Sequence, residues 1–441
     1  MIEQKTFGVI SLGCDKNRVD TERMLALLEE KGAKRTGDLS EAQILIVNTC
    51  AFLNAARKES IETILDGATY KSGKLEKIVV TGCLPEKFID ELFPALTEAD
   101  VFLGVSDSSL LIDAIERSYR GERVNAVKQG QTKEGARVLS TPLHYGYLKI
   151  ADGCHNHCTY CLIPKIRGKY RSEPMEKLVE EAASLGELAE LVLVAQDTTR
   201  YGEDLYGENR LVSLIRALTA LDNVGALRLL YCYPEAIDDR LIAEIKNNPK
   251  VVHYLDIPLQ HSENRVLKLM NRRGSRESNL ALLQKLKKEI PDIAIRSTFI
   301  AGFPSETEEE VEGMLAFLDE AKLTNCGFFA YSKEPDTPAF RMKGHLLQRE
   351  KDRRVRRLYK KQKQIAKEFL SSFLGKELEV LCDGIDYERE CFVGRAYFQA
   401  PDIDGKVYFT GEEASQGCRY RVLVKRTNGY DLFGTIVEDQ T

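Results

Sequence analysis

Nowhere in the 441 residues does an uninterrupted apolar run approach the roughly 18 residues that a membrane span requires. The N-terminal run FGVISLG is too short for a signal peptide and follows Glu3 and Lys5 too directly, so the chain reads as cytoplasmic, with no membrane partner. An excess of positive charge is also missing: 63 basic against 68 acidic residues leave a net charge of −5, which gives the chain as a whole no character of a nucleic-acid binder. With 30% charged and 43% hydrophobic residues, a single small domain is excluded and about three domains are expected.

Cysteine is abundant by contrast, with eleven residues. In a reducing compartment they read as metal ligands, redox groups or small buried apolar side chains before disulfides. Cys154, Cys158 and Cys161 crowd into eight residues, Cys14, Cys50 and Cys83 lie far apart, and Cys232, Cys326, Cys382, Cys391 and Cys418 share no spacing and read as structural.

From residue 1 to about 127, short Val/Ile-rich runs alternate with helical patterns, as in AQILIVNTC followed by AARKESIETILDGA, which argues for a parallel α/β domain with helices on both faces. A polar linker over 128–142 follows. Between 143 and 368 six longer βα units suggest a partial barrel of the TIM type, whose chemistry would sit at the C-terminal strand ends. Residues 341 to 369 close it with 12 Lys or Arg against 3 Asp or Glu, a run that reads either as a solvated face or as a polyanion site. From 370 to 441 the period shifts to two, with Asn-Gly and Asp-Gly turns, indicating a small antiparallel β-barrel.

GCHNHCTYCLIP places Cys154, Cys158 and Cys161 in a C-x3-C-x2-C loop directly after an apolar strand. Three thiolates can hold three irons of a 4Fe-4S cube and leave one iron open to substrate. A zinc site completed by His155 or His157 is the alternative, although the base-deaminase pattern fails because no H-x-E precedes a P-C-x-x-C. Cys14, Cys50 and Cys83 each close an apolar strand, in GVISLGC, ILIVNTC and KIVVTGC. Parallel strands would bring these three ends to one crevice, so a second three-thiolate cluster is expected.

The C-x3-C-x2-C loop, with Tyr160 before its third cysteine and a barrel after it, resembles the radical S-adenosylmethionine (SAM) superfamily. The resemblance implies that the open iron chelates SAM and that one electron cleaves its sulfonium to a 5′-deoxyadenosyl radical. It also implies that STFIAGFPSET, with Gly302 and Phe303, contacts the adenine side of the cofactor, and that Arg296 on the same strand pairs with its carboxylate. Two cysteine trios, the domain order and the terminal barrel together resemble the methylthiotransferase family, with an N-terminal cluster domain, a radical SAM barrel and a C-terminal TRAM domain. QDTTRYG at 196 to 202, IPLQHSENRVLKLMNR at 257 to 272 and YSKEPDTPA at 331 to 339 are further matches, and Gln196, Asp197, Gln260 and His261 are expected at strand ends facing the barrel mouth.

SLGCDKNRVDTE resembles the branch that thiomethylates an aspartate of protein twelve of the small ribosomal subunit, with Asp15 where that branch usually has proline and Thr21 where it has serine. The resemblance implies two 4Fe-4S clusters, two uses of SAM, an external electron donor, and addition of the methylthio group to the β carbon of the aspartate. Charge agrees, since residues 375 to 441 carry 8 basic against 13 acidic residues, a poor grip for phosphates and a better match for a basic protein. Glu388, Glu390, Asp402, Asp404, Glu412 and Glu413 are expected at exposed turns of this barrel. The basic run at 341 to 369 would equally suit ribosomal RNA beside the target. Lys165 and Arg167, with Lys169 and Arg171, alternate just past the cluster loop and would pair with the substrate carboxylate. The residues alone leave two alternatives, a transfer-RNA adenosine methylthiotransferase and a non-enzymatic metal-binding interaction scaffold.

Overall fold

The computed structural model describes residues 2–130 and 136–437, so part of the expected linker, 131–135, lies outside the described residues. Among the described residues no helix is long and apolar enough to cross a membrane.

The N-terminal unit is a six-stranded parallel sheet in the order β2-β1-β3-β4-β5-β6, formed by Thr6–Ser11, Lys34–Arg35, Ile44–Thr49, Lys77–Gly82, Val101–Phe102 and Val124–Asn125 as β1 to β6. Every residue of β3 is buried because both faces are covered. Ile44 and Ile46 pack with Leu25 and Leu28 on one side, while Leu45 and Val47 pack with Ile64 and Leu84 on the other.

The central unit is a second six-stranded parallel sheet, β7 (Tyr145–Lys149), β10 (Glu190–Val194), β11 (Leu227–Leu229), β12 (Val251–Asp256), β13 (Ala294–Ala301) and β14 (Asn325–Ala330) in sequential order. A small antiparallel pair, β8 (Ala151–Asp152) with β9 (Arg171–Ser172), brackets the cysteine loop. One face of the sheet carries Leu191, Leu193, Leu227 and Leu229 against helices. The other presents Tyr145, Tyr147, Val192, Val194 and Tyr254 to the terminal barrel, which supplies Val380, Phe398 and Ala400.

That barrel is closed, in the order β15-β16-β17-β19-β18, from Glu377–Asp386, Cys391–Arg395, Val407–Thr410, Arg419–Thr427 and Leu432–Ile436 as β15 to β19. Its pairs are antiparallel except β17 with β19. The helix Gln348–Ser371 leads into it, and its basic run is largely neutralised from within: Arg353 and Arg357 pair with Glu308, Arg357 with Glu312, and Lys361 with Asp319. Of the acidic residues expected at exposed barrel turns, Glu388, Glu390, Glu412 and Glu413 are exposed. Asp404 is a correction: its carboxylate is buried, accepting from Tyr254 Oη at 2.7 Å and from the Ala400 N–H at 2.9 Å. Asp402, with φ at +65°, is exposed as expected and stands 3.4 Å from Arg18.

Candidate active site at the junction of three domains

β1, β3 and β4 are neighbours in one sheet, so their C-terminal ends deliver Cys14, Cys50 and Cys83 to one place. Cys14 caps the helix Asp15–Glu30 without using its side chain, and Cys83 opens the helix Cys83–Ala95. Glycine precedes both. Gly13 has φ of +92°, and a Cβ there would lie 3.2 Å from Cys50 Sγ; Gly82 has φ of +95°, and a Cβ there would lie 2.2 Å from Asn48 Oδ1. Asn17 ties the crevice together, donating to Leu12 O and Thr49 O, both at 3.0 Å. The sulfurs act on one another: burial pushes the Cys83 thiol up to about 12, with Arg167 opposing and Cys14 and Cys50 adding to the rise.

The second trio follows β8. Cys154, Cys158 and Cys161 each face an N–H, from Asn156 N at 3.5 Å, Arg272 Nη1 at 3.9 Å and Ile163 N at 3.4 Å respectively. Three donors aimed at three sulfurs suit the anionic thiolates that iron or zinc binds, whereas a neutral thiol accepts only weakly. Burial raises Cys154 to about 11 and Cys161 further, which a metal cation would reverse. All six are free thiols. Among the described residues no group of three His, Cys, Asp or Glu side chains stands close enough together to hold a single metal ion.

The other expected site residues divide. Gln196 lies against the loop, its Nε2 on Asp152 Oδ1 at 3.1 Å and its Oε1 buried without a hydrogen-bond partner. Asp197 accepts from Asn156 at 2.9 Å and Thr199 at 2.7 Å, and burial raises its pKa. It lines a polar cavity of about 300 Å³ with Asn156, Cys158, Arg200, Tyr233 and Arg272. Tyr160 packs beside a small core containing Phe303 and Tyr331. Gln260 bridges to β13, its N–H on Thr298 O at 2.8 Å.

Most of the remaining expected residues are engaged by other protein groups. His261 is fully buried, with Nε2 on Glu306 at 3.1 Å and Nδ1 receiving the Glu263 N–H at 3.0 Å, so both ring nitrogens are occupied by protein. Phe303 is fully buried as well. Gly302 does permit a close approach, but of the helix Gln348–Ser371: a Cβ there would lie 2.5 Å from Lys351 Cγ. Arg296 faces Asp256 at 3.1 Å and Asp404 at 3.4 Å, a pair of protein carboxylates in place of a cofactor's. Lys165 is exposed, whereas Arg167 is buried and donates to Asp152, Asp20 and Asn17, so it has no free face for a substrate carboxylate. Sequence reading missed Asp152, Lys149 and Arg272, because neither spacing nor periodicity marks a residue that supports a ligand from another segment.

The domains meet around these trios. From the N-terminal helix, Asp15 receives Tyr231 Oη of the central unit at 3.2 Å, and the Lys16 ammonium sits 3.1 Å from the centre of the Tyr231 ring. Arg137, buried, pairs with both Glu22 and Glu181. Glu334 accepts from Asn54 N at 2.9 Å and from the Arg57 guanidinium.

Family models match three segments: Radical SAM superfamily over 148–318, Uncharacterized protein family UPF0004 over 6–104, and TRAM domain over 374–437. The chain is 46% identical to a ribosomal protein uS12 methylthiotransferase RimO of Lachnoclostridium phytofermentans, over 97% of this chain and 98% of that one. A protein of the same description from Clostridium tetani is 43% identical, over 98% of each. Among solved structures, a cobalamin-dependent S-adenosylmethionine radical enzyme, OxsB, with aqua-cobalamin and S-adenosylmethionine bound, gives a TM-score of 0.51 at 12% identity. That match covers 83% of this chain and 56% of OxsB, and it speaks for the fold alone.

Proposed function

The chain belongs to the ribosomal protein uS12 methylthiotransferase family of radical SAM enzymes, and on that premise we propose that it adds a methylthio group to the β carbon of an aspartate in that ribosomal protein, using a 4Fe-4S cluster on each cysteine trio. The observation that carries this reading is the placement of two thiol trios on either side of one domain junction, with Arg167 from beside the radical loop reaching Cys83 of the other trio at 3.9 Å. A structural metal site needs a closed ligand set, whereas three thiolates leave a position open. When bound, such clusters would supply an electron to SAM at one trio and a sulfur for transfer at the other.

The chain's own groups prepare this. Backbone and Arg272 N–H donors point at the Cys154, Cys158 and Cys161 sulfurs and would stabilise them as thiolates once a cluster is held there. Burial raises the phenols of Tyr147 and Tyr231, and the charge of Asp15 adds to the rise in both. The exposed carboxylates of the terminal barrel suit a basic protein partner. An external one-electron donor is required, and Lys165 remains available to a substrate carboxylate.

Reduced, reconstituted enzyme offered the ribosomal protein and transfer RNA together tests the reading. We expect a methylthio group on the aspartate, and modification of the nucleoside alone would overturn it.

A further inference from the structure

Four buried charges close a ring between the two trios. Arg167 Nη1 donates to both Asp152 oxygens at 3.1 and 2.9 Å, its Nη2 reaches Asp20 at 3.1 Å, and Lys149 pairs with both Asp20 and Asp152. Side-chain exposures of 1%, 11%, 12% and 3% for Arg167, Asp152, Asp20 and Lys149 place the ring out of water. Two members are tied to different metal sites. Asp152 stands two residues before Cys154 and also holds the Gly153 N–H at 2.8 Å, so it anchors the radical loop. Asp20 and Asn17 lie on the helix that starts at Cys14, and Asn17 Oδ1 accepts from Arg167 at 2.5 Å.

Burying four ions costs several kcal/mol each before their attraction is counted, and well-packed apolar residues would often stabilise such a junction as well or better. The ring is therefore explained by what it fixes. A planar guanidinium offers two donor faces in rigid geometry, which a lysine does not. One face grips the radical loop and the other grips the N-terminal helix. The same group leaves a permanent positive charge 3.9 Å from Cys83 Sγ.

We propose that Arg167 is a positioning residue for methylthio transfer: its fork sets the separation of the two trios, and its charge raises the reduction potential of the cluster that Cys83 helps to hold. The proposal rests on the two-cluster reading above. A fixed cation in a low-dielectric site favours the more negative, reduced state of a neighbouring centre. Asp20, held by the same Nη2 at 3.1 Å, partly offsets that charge.

The test has two arms on the full-length chain. In a Cys154→Ala/Cys158→Ala/Cys161→Ala background, reconstituted anaerobically with iron and sulfide, the remaining cluster is titrated potentiometrically. Arg167→Met should lower its midpoint, Arg167→Lys should restore most of the loss, and Asp20→Asn should raise it. In the six-cysteine enzyme, Arg167→Met and Arg167→Lys should both reduce methylthio product per 5′-deoxyadenosine at least tenfold, because neither keeps the fork. An unmoved midpoint in Arg167→Met and Asp20→Asn, or an unchanged product ratio in Arg167→Lys, would overturn the proposal. Absence of iron from the triple-alanine background before Arg167 is changed would instead refute the two-cluster reading. Asp20→Asn keeps Arg167 and its Asp152 pairing, so the midpoint arm stands even if Arg167→Met does not fold.

Discussion

Arg395 of the terminal barrel and Glu190 of the central sheet form a buried ion pair, Nη1 to Oε2 at 2.7 Å, with 4% and 3% of their side chains exposed. Arg228 holds the other carboxylate oxygen, and Asp383 occupies the far side of Arg395 and pairs with His144. The TRAM barrel is thus fixed to the radical SAM sheet by charges that leave no cation in the pair without a partner. Replacing Glu190 by glutamine would leave buried Arg228 without its carboxylate, while Arg395 would keep Asp383 alone. We expect a loss of about 3–5 kcal/mol, read by chemical denaturation.

The same carboxylate gives an acid transition its sign. Burial favours the protonated form of Glu190, but Arg228 and Arg395 hold it down at about 2 from an ordinary 4.5. A depressed folded pKa stabilises fully above pH 4.5 and is lost as pH falls toward 2, a contribution of order 3 kcal/mol. Stability of the parent should fall through that window more steeply than that of Glu190→Gln. Parallel curves would show that the pair contributes nothing to docking.

Gly82→Ala tests the crevice that brings the first trio together. The residue would adopt a conformation reserved for glycine, at a cost of about 1–3 kcal/mol, and its Cβ would meet Asn48 Oδ1 and Thr49 O at 2.2 and 2.7 Å. Iron bound after anaerobic reconstitution should drop by up to half, with the loss confined to the N-terminal trio. Full iron retention would mean that β3 and β4 need not approach as closely as Cys50 and Cys83 require.

Charge reversal at Glu388, Glu390, Glu412 and Glu413 tests the docking surface. Association of the ribosomal protein should slow, most at low ionic strength where screening is weakest. An on-rate independent of both the substitutions and salt would remove the barrel surface from recognition.

Much of this was legible in the sequence for a physical reason. Strands buried on both faces must be apolar throughout, so β3, β4 and β10 stand out, and a cysteine at the end of such a strand has a place in space as well as in sequence. Two-residue strands such as β5 and β6 carry no such signal, so the extent of that sheet was not readable although its parallel core was. Residues whose partners lie in another domain were misjudged for a similar reason. Arg167 looked like a free cation because Asp20 is 147 positions away, and Asp404 looked like a surface acid because Tyr254 and Arg296 come from the central sheet.

The two trios most directly separate the account from its rivals. In each of Cys14→Ala, Cys50→Ala and Cys83→Ala, reduced enzyme should still form 5′-deoxyadenosine from SAM while forming no methylthio product, whereas Cys154→Ala, Cys158→Ala and Cys161→Ala should form neither. The measurement is chromatographic quantification of 5′-deoxyadenosine beside mass spectrometry of the ribosomal protein in all six variants. Retained cofactor cleavage in the second set, or full methylthio transfer in any of the first, would contradict the division of labour between the two cysteine trios.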